Sequence, residues 1–564
     1  MNSLFDAIFD TPRTSGYVLL DRHSEIVAEL SYEQLVLDGA RRAAELSTML
    51  ERVRPGSVVV LVFNDPLQFV TALFACVYLG VAALPVAPRQ LRRMARRLGA
   101  SGAVLIVAEA VLLPGLLSRS LPGVPPRTGA GMRSGTTGVT EGIPVHGWSE
   151  GALHDAAGRA GEVCPAPGSE HEPALMQLSS GTTGEPSIVE LSARNICSNE
   201  RIIARHFGHT SASRVLGWLP HTHDMGLFGT LLQPFFVDCV GYLARPNDFV
   251  RDPLSWLRSL SRYAVTTSGA PTFAYASTCK AADAACAIDP DALDELDLSN
   301  WDIAFVGADT VRTTVLEPFC ERFATVGFNP KSLMACYGLA EAALFVTGER
   351  RGAGIDSITE ASGLVKGMTL VTPDVVCVGS TEELGSTRVR LHSVGSLRAT
   401  HAGDRVGEIL VAGASVTRSN SVARIDDWVA TGDLGLIREG RLYLCARLKE
   451  VIKVRGRSVS LAEIDECVGA TLQDPAIQIC SFEAPEPCGS SAVWVAVQSR
   501  HCAVTCDEPL IRWIEANVLA QLGVSIRLRI LPRRPRCVMR TPSGKLNRKA
   551  TADACLRLEP VSVG

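Results

Sequence analysis

Several signals that would place a chain quickly are missing from this one. It has no excess of basic charge: the formal net charge is −4 over 564 residues. Without a positive field, nucleic acid is not expected as a main partner. No C-x-x-C pair occurs, and the 17 cysteines are odd in number and scattered. That pattern fits neither a secreted disulfide scaffold nor a zinc ribbon, and implies free thiols in a reducing cytoplasm. The opening "MNSLFDAIFDTPR" has acids inside its apolar run and no basic lead, so it does not read as a signal peptide. G-x-x-x-x-G-K-[ST] is absent, which excludes a Walker loop, and G-x-S-x-G is absent, which removes support for a serine hydrolase. Internal repeats, coiled-coil heptads and a low-complexity tail are not found.

One long uncharged run is present. The 19 residues from Phe69 to Ala87 carry no charge, enough to span a bilayer by hydropathy alone. They follow "SVVVLVFNDP", however, and break at Gly80 and Pro85. The expectation is a buried helix between two strands of a parallel sheet, with no membrane span.

Apolar content of 46% and charged content of 20% mark a folded chain too long for one core. "SYEQLVLDGARRAAELSTMLERV" reads as a helix with Ser31 as a possible cap. Arg89 to Arg97 reads as a solvated basic helix face, and Pro114 to Pro144 as a loop-rich connector. "ALMQLSS" is a strand, and "LSARNICSNERIIARHF" a helix capped by Ser192, with Ile196, Ile203 and Phe207 on one face. Further strand–helix units run through "VLGWLP", "YAVTTSGAP", "WDIAFVGAD" and "SLMACYGLAE". Short strands dominate from about 370 to 445, and mixed α+β follows.

The chemistry concentrates at "SSGTTGEP", after the strand "ALMQLSS". Small residues let a backbone approach an anion, and Ser180, Thr182 and Thr183 add hydroxyls around Gly181 and Gly184. Strand, loop and helix would then form a phosphate cradle; the plainer reading is a surface turn. "HTHD", His221 to Asp224, resembles the start of a metallohydrolase cluster, but no second His/Asp cluster follows at a suitable spacing, so a metal role is not expected there.

"SSGTTGEP" resembles the core loop of the adenylate-forming superfamily, which includes acyl-CoA synthetases, peptide-synthetase adenylation domains and luciferases. "YGLAE", "ATGDLG", "ARLKEVIKVRG" and "TPSGKLNRKA" follow in family order, over some 370 residues in all. "GWLPHTHDMGLFGTLLQPFF" and "LDLSNWDIAFVGAD" are similar to the fatty-acyl-AMP ligase branch. The resemblance implies a large N-terminal domain (1–446) of parallel βα sheets plus a distorted β-barrel. It also implies a hinge at 447–449 and a small mobile α+β domain (450–564). A segment from Thr347 to Val394 would correspond to the branch's extra element that restrains domain rotation.

The implied reaction is ATP- and Mg²⁺-dependent conversion of a fatty acid to acyl-AMP, then transfer to an acyl carrier protein or synthase in trans. By resemblance, Ser180, Gly181, Thr182, Thr183, Gly184, Gly307, Ala308, Asp309, Tyr337, Gly338, Asp433 and Arg447 face the nucleotide, Tyr337 stacking adenine and Asp433 holding both ribose hydroxyls. Glu341 would bind magnesium, Lys449 is the pivot, Lys545 the adenylation lysine, and His223 lines the acyl end. Each has a plainer reading: a cap for Glu341, core packing for Tyr337, an Asx turn at Asp433, surface charge for Arg447, Lys449 and Lys545.

Three departures stand out. Ser187 and Ile188 replace Lys-Gly, Thr272 replaces asparagine, and Asp309-Thr310 replaces Glu-Pro. An acyl-CoA synthetase or aryl- or amino-acid activator of the same fold, and a degenerate relative that binds without turnover, are the alternatives.

Overall fold

The structure is a computed structural model that describes residues 13–49, 56–88, 90–91, 102–112, 136–140, 143–148, 172–179, 187–365, 368–381, 387–394, 404–419, 421–454, 457–472, 477–485, 491–499, 508–522, 524–532, 535–540 and 546–557. A hairpin of β1 (Gly16–Leu20) and β2 (Ile26–Ser31) leads into helix α1 (Tyr32–Met49). Ser31 caps that helix, its Oγ accepting the Gln34 N–H at 3.1 Å. β3 (Val58–Val62) is buried at every position, as expected of a strand covered on both faces. Helix α2 (Pro66–Leu79) starts where Asp65 accepts from the N–H groups of Leu67 and Gln68, and stops at Gly80 in the left-handed conformation, φ 63°. β4 (Ala82–Pro85) follows. The uncharged run is thus helix, turn and strand. Among the described residues no helix is long and apolar enough to cross a membrane.

β5 (Ala103–Glu109), β6 (Thr136–Thr140), β7 (Ile143–Trp148), β8 (Pro173–Ser179) and β9 (Ser187–Ser192) complete a seven-stranded sheet. Its order is β6-β7-β5-β3-β4-β8-β9. The end of the expected connector is therefore an antiparallel strand pair, β6 with β7. The connector's remainder up to residue 135, and Arg89 and residues 92–97 of the basic run, lie outside the described residues.

β9 is a second correction, and it bears on the site. The sequence predicts the helix capped by Ser192, which forms, but not the strand that precedes it. β8 and β9 pair antiparallel, with Ser179 opposite Ser187, so the loop joins two strands of a hairpin. Val189 and Leu191 enter one core and Ile188 packs on the opposite face. That period-2 burial is the mark of a strand. Helix α3 (Ala193–Phe207) begins only after β9, with a reciprocal capping box between Ser192 and Asn195, and buries Ile196, Ile203 and Phe207.

β10 (Arg214–Gly217), β11 (Val240–Leu243), α4 (Leu254–Arg262), β12 (Thr267–Ala270), α5 (Thr272–Cys286), β13 (Ile303–Val306), α6 (Thr313–Phe323), β14 (Leu333–Gly338) and β15 (Phe345–Gly348) build the second sheet and its covering helices. The order β15-β14-β13-β12-β10-β11-β1-β2 is parallel except at its two edge pairs. Residues of β1, β3, α2, α3 and the turn around Leu227–Phe235 share one core, which joins the two sheets.

β16 (Ser357–Val365), β17 (Met368–Ser380), β18 (Thr387–His392), β19 (Arg405–Gly413), β20 (Arg424–Ile425), β21 (Trp428–Arg438) and β22 (Arg441–Arg447) form an antiparallel sheet where the barrel was expected. A 3₁₀ turn at Leu448–Glu450 leads to the hairpin β23 (Val451–Val454) and β24 (Arg457–Ser460). α7 (Leu461–Leu472), β25 (Ile477–Pro485), β26 (Ser491–Ser499), α8 (Glu508–Leu522), β27 (Ile526–Ile530) and α9 (Arg548–Leu556) complete a smaller α+β unit. Its three-stranded sheet packs α7 and α8 on one face and α9 on the other.

Candidate active site

A cavity of about 510 Å³ opens beside the C-terminal ends of β13 and β14. Ligands of parallel α/β sheets bind at this end of the strands. Part of its wall is apolar. Ile203 and Phe207 from α3, Met225, Phe305 from β13 and Phe345 belong to one packed cluster, with Leu344 against it.

Another part is polar. Tyr337, at the end of β14, donates its hydroxyl to Asp433 Oδ2 at 2.8 Å. Arg447 Nε lies 3.1 Å from Asp433 Oδ1. Asp433 is itself placed by a Thr431 Oγ1 that accepts its N–H at 3.1 Å. The preceding Gly432 takes φ 74° and donates to Glu408 Oε1 at 2.9 Å. A left-handed residue is what turns the β21 backbone so that Asp433 faces β14.

Glu341 sits in a 3₁₀ turn, Ala340–Ala342, whose Glu341 carbonyl accepts the Thr417 N–H at 2.7 Å. Burial pushes the Glu341 carboxyl up, and the nearby Asp224 and Asp433 push it further; Arg447 opposes them. A carboxylate held against its own charge among two others is a donor suited to a hard divalent cation.

"HTHD" divides. His221 stacks on Phe69 at 4.2 Å and bonds through Nε2 to the Phe63 carbonyl at 3.1 Å. Burial lowers its pKa to about 4, so it is a neutral packing residue. His223 lines the cavity, with Nδ1 2.6 Å from Asp224 Oδ1. A π-helical turn, Leu227–Leu232, follows and brings Gly229 to the cavity wall; such turns are frequent at functional sites.

Of the other predicted residues, Gly307, Ala308, Gly338 and Lys449 line the cavity. Gly338 is required, since a Cβ there would lie 2.0 Å from the Leu344 carbonyl oxygen. Ala308 adopts φ 62°, a strained conformation at the cavity edge. Asp309 does not reach the cavity wall; it is exposed and accepts the Thr310 N–H at 2.8 Å. Thr272 donates to the Thr310 carbonyl at 3.1 Å, so two of the three departures touch each other. Ser180, Gly181, Thr182, Thr183, Gly184 and Lys545 lie outside the described residues. Residues 180–186 lie between Ser179 and Ser187, and Ser187 lines the cavity.

Sequence reasoning missed Asp224, Gly229, Glu408 and Gln177 as cavity residues. Asp224 had a signal in "HTHD", and Gln177 had one as a polar residue interrupting the apolar strand "ALMQL".

Ser187 is exposed at the start of β9. Ser187→Lys is therefore expected to fold normally and to raise ATP affinity or leave activity unchanged, read as the KM for ATP in pyrophosphate exchange. A large loss would show that the serine has its own role.

Two layered α/β sheets, an antiparallel sheet, a small α+β unit and a cleft with a polar and an apolar wall define an adenylate-forming enzyme fold. The family model for AMP-binding enzymes matches residues 22–419. This chain belongs to the AMP-binding enzyme family. It is 35% identical over 329 residues to the medium-chain-fatty-acid–[acyl-carrier-protein] ligase TtuA of Teredinibacter turnerae, covering 53% of this chain and 49% of that protein. The match thus spans about half of TtuA. To the enzyme of the same description from Moorena producens, JamA, it is 30% identical, covering 78% of this chain and 75% of JamA. A solved structure from work on fatty acyl-adenylate ligases of E. coli and L. pneumophila superimposes with a TM-score of 0.80 at 26% identity. That match covers 99% of this chain and 98% of the other.

Proposed function

We propose that this chain activates a fatty acid with ATP, releasing pyrophosphate and forming acyl-AMP, and then hands the acyl group to an acyl carrier protein acting in trans. The observation that carries this reading is the cavity itself. Its apolar wall at Ile203, Phe207 and Phe305 suits an alkyl chain and adjoins the Tyr337–Asp433–Arg447 cluster, which suits a nucleoside. The relatives' names supply the acid and the acceptor.

In this reading a carboxylate oxygen of the acid forms a bond to the α-phosphorus. The bond from that phosphorus to the bridging oxygen breaks, and the electron pair leaves with pyrophosphate. Negative charge spreads over the phosphoryl oxygens, so cations and N–H groups aimed there lower the barrier. Asp433 keeps free lone pairs after accepting from Tyr337 and Arg447, enough to accept from the ribose hydroxyls. Glu341 is the residue that would hold Mg²⁺, which supplies charge neutralisation on the phosphates when bound. Lys545, from the C-terminal unit, would approach the α-phosphate, and Lys449 would be the pivot. His223, fixed by Asp224, faces the acid side.

Incubation with ATP, Mg²⁺ and fatty acids of graded length tests the reading. Acyl-AMP should be detected by mass spectrometry, and added carrier protein, but not coenzyme A, should discharge it. Absence of acyl-AMP from every acid, with ATP still bound, would leave only a non-catalytic binding role.

Gly229 sets a limit on the acid. A Cβ there would lie 3.3 Å from Leu344 Cδ2. Gly229→Val should therefore narrow the apolar wall and shift preference to shorter acids. The loss should be on the order of ten-fold or more for the longest acid accepted by the wild type, the usual worth of a methylene or two in a filled pocket. kcat/KM measured across the chain-length series checks this.

A further inference from the structure

Gln177 is 4% exposed, yet neither its amide oxygen nor its amide nitrogen has a hydrogen-bond partner among the described residues. It stands opposite Val189 on β8, two residues before the strand enters the 180–186 loop, and lines the cavity. By strand alternation it shares a face with Leu175, which packs with Val189, Leu191 and the π-turn residues Leu227 and Phe228. An unpaired primary amide on an apolar face is costly unless something else satisfies it.

We propose that the Gln177 carboxamide is the protein's contact with the carboxylate end of the acid, an inference that rests on the function proposed above. A fatty acid has one polar group, and that group must lie where the alkyl chain meets the nucleotide. Gln177 occupies a corresponding position. It lies on the strand that leads into the loop assigned to phosphate, and it lines the same cavity as Ile203, Phe207 and His223.

The chemistry suits an amide better than a cation. One carboxylate oxygen attacks phosphorus while the other becomes the acyl carbonyl. The Gln177 N–H donates to the second oxygen throughout, and no proton is transferred. A lysine or arginine there would stabilise the free carboxylate more than the transition state and blunt its nucleophilicity. A neutral donor orients the group without that penalty.

The test uses the full chain with Gln177→Met, which keeps length and removes polarity, and Gln177→Glu, which keeps shape and adds a negative charge. Readouts are the KM for fatty acid and for ATP in pyrophosphate exchange. Dissociation constants for dodecanoyl-sulfamoyl-adenosine, which retains the acyl carbonyl, and for AMP complete the set. Gln177→Met should raise the acid KM and weaken the sulfamate about ten-fold or more, while the ATP KM and AMP affinity stay within about two-fold of wild type. Gln177→Glu should lose more, through repulsion of the carboxylate, and recover in part as pH falls. Thermal stability of Gln177→Met should hold or rise, because an unpaired amide is replaced by an apolar group.

Unchanged acid KM and sulfamate affinity in Gln177→Met, in an enzyme whose wild type makes acyl-AMP, would overturn this assignment alone. So would equal losses toward acid and ATP. A wild type that neither makes acyl-AMP nor binds the sulfamate would overturn the functional reading and this assignment together.

Discussion

Asp433→Ala is expected to lower kcat/KM for ATP by about 10²–10⁴. Two effects add. The first is loss of charge-assisted hydrogen bonds to the ribose, each worth about 1.5–3 kcal/mol. The second is local. Tyr337 is only 5% exposed and its hydroxyl donates to Asp433, so the substitution removes a buried hydroxyl's acceptor and leaves Thr431 as its side-chain neighbour. A buried donor left with no partner costs about 1–3 kcal/mol, which sets the upper bound here. The contact with Arg447 adds less, because that side chain is partly exposed and its charge is screened. Asp433→Asn keeps the shape and one acceptor oxygen and should fall between wild type and alanine. Pyrophosphate exchange with varied ATP gives the kinetic term, and thermal denaturation gives the structural one. Wild-type ATP kinetics in Asp433→Ala would remove the ribose role.

The second large effect is expected at Lys545. Lys545→Ala should reduce acyl-AMP formation by about 10² or more, the usual scale for one preorganised electrostatic contact at a developing charge. ATP binding should survive, because Tyr337, Asp433 and Glu341 belong to the large N-terminal part and do not depend on that side chain. Single-turnover acyl-AMP formation and calorimetric ATP titration separate the two. Normal turnover in Lys545→Ala would take the lysine out of the mechanism; lost ATP binding would make it a binding residue.

Lys545 and Asp433 differ in what makes them legible. Lys545 is legible only as a motif residue, in "TPSGKLNRKA". Asp433 is legible as a motif residue too, but its dependence on Tyr337 is not. The two are 96 positions apart, and the packing of β14 against β17, whose partner β22 pairs with β21, brings them together. Local strings such as "YGLAE" and "ATGDLG" name the chemistry; they do not say which groups share a proton or a charge.

Burial explains the remaining differences. "HTHD" offers two histidines one residue apart, and nothing local separates them. Packing does: His221 is neutral against Phe69, while His223 reaches the cavity. Likewise, "SSGTTGEPSIVELSARN" reads as strand, loop and helix because the caps and the glycines are where those elements need them. The interposed β9 depends on a partner, since Val189 and Leu191 are buried only when β8 and the helical layer lie beside them.

The sequence by itself determined the alternation of strands and helices, the caps at Ser31 and Ser192, and the set of residues able to do adenylating chemistry. These follow from period, turn residues and side-chain type, all properties of a few neighbouring positions. Tertiary structure alone decided that the glycine-rich loop closes a hairpin, that Glu341 faces two other carboxylates, and that Gln177 is buried without a partner. Each of these is a statement about desolvation and distance between groups remote in sequence, and both quantities exist only once the chain has packed.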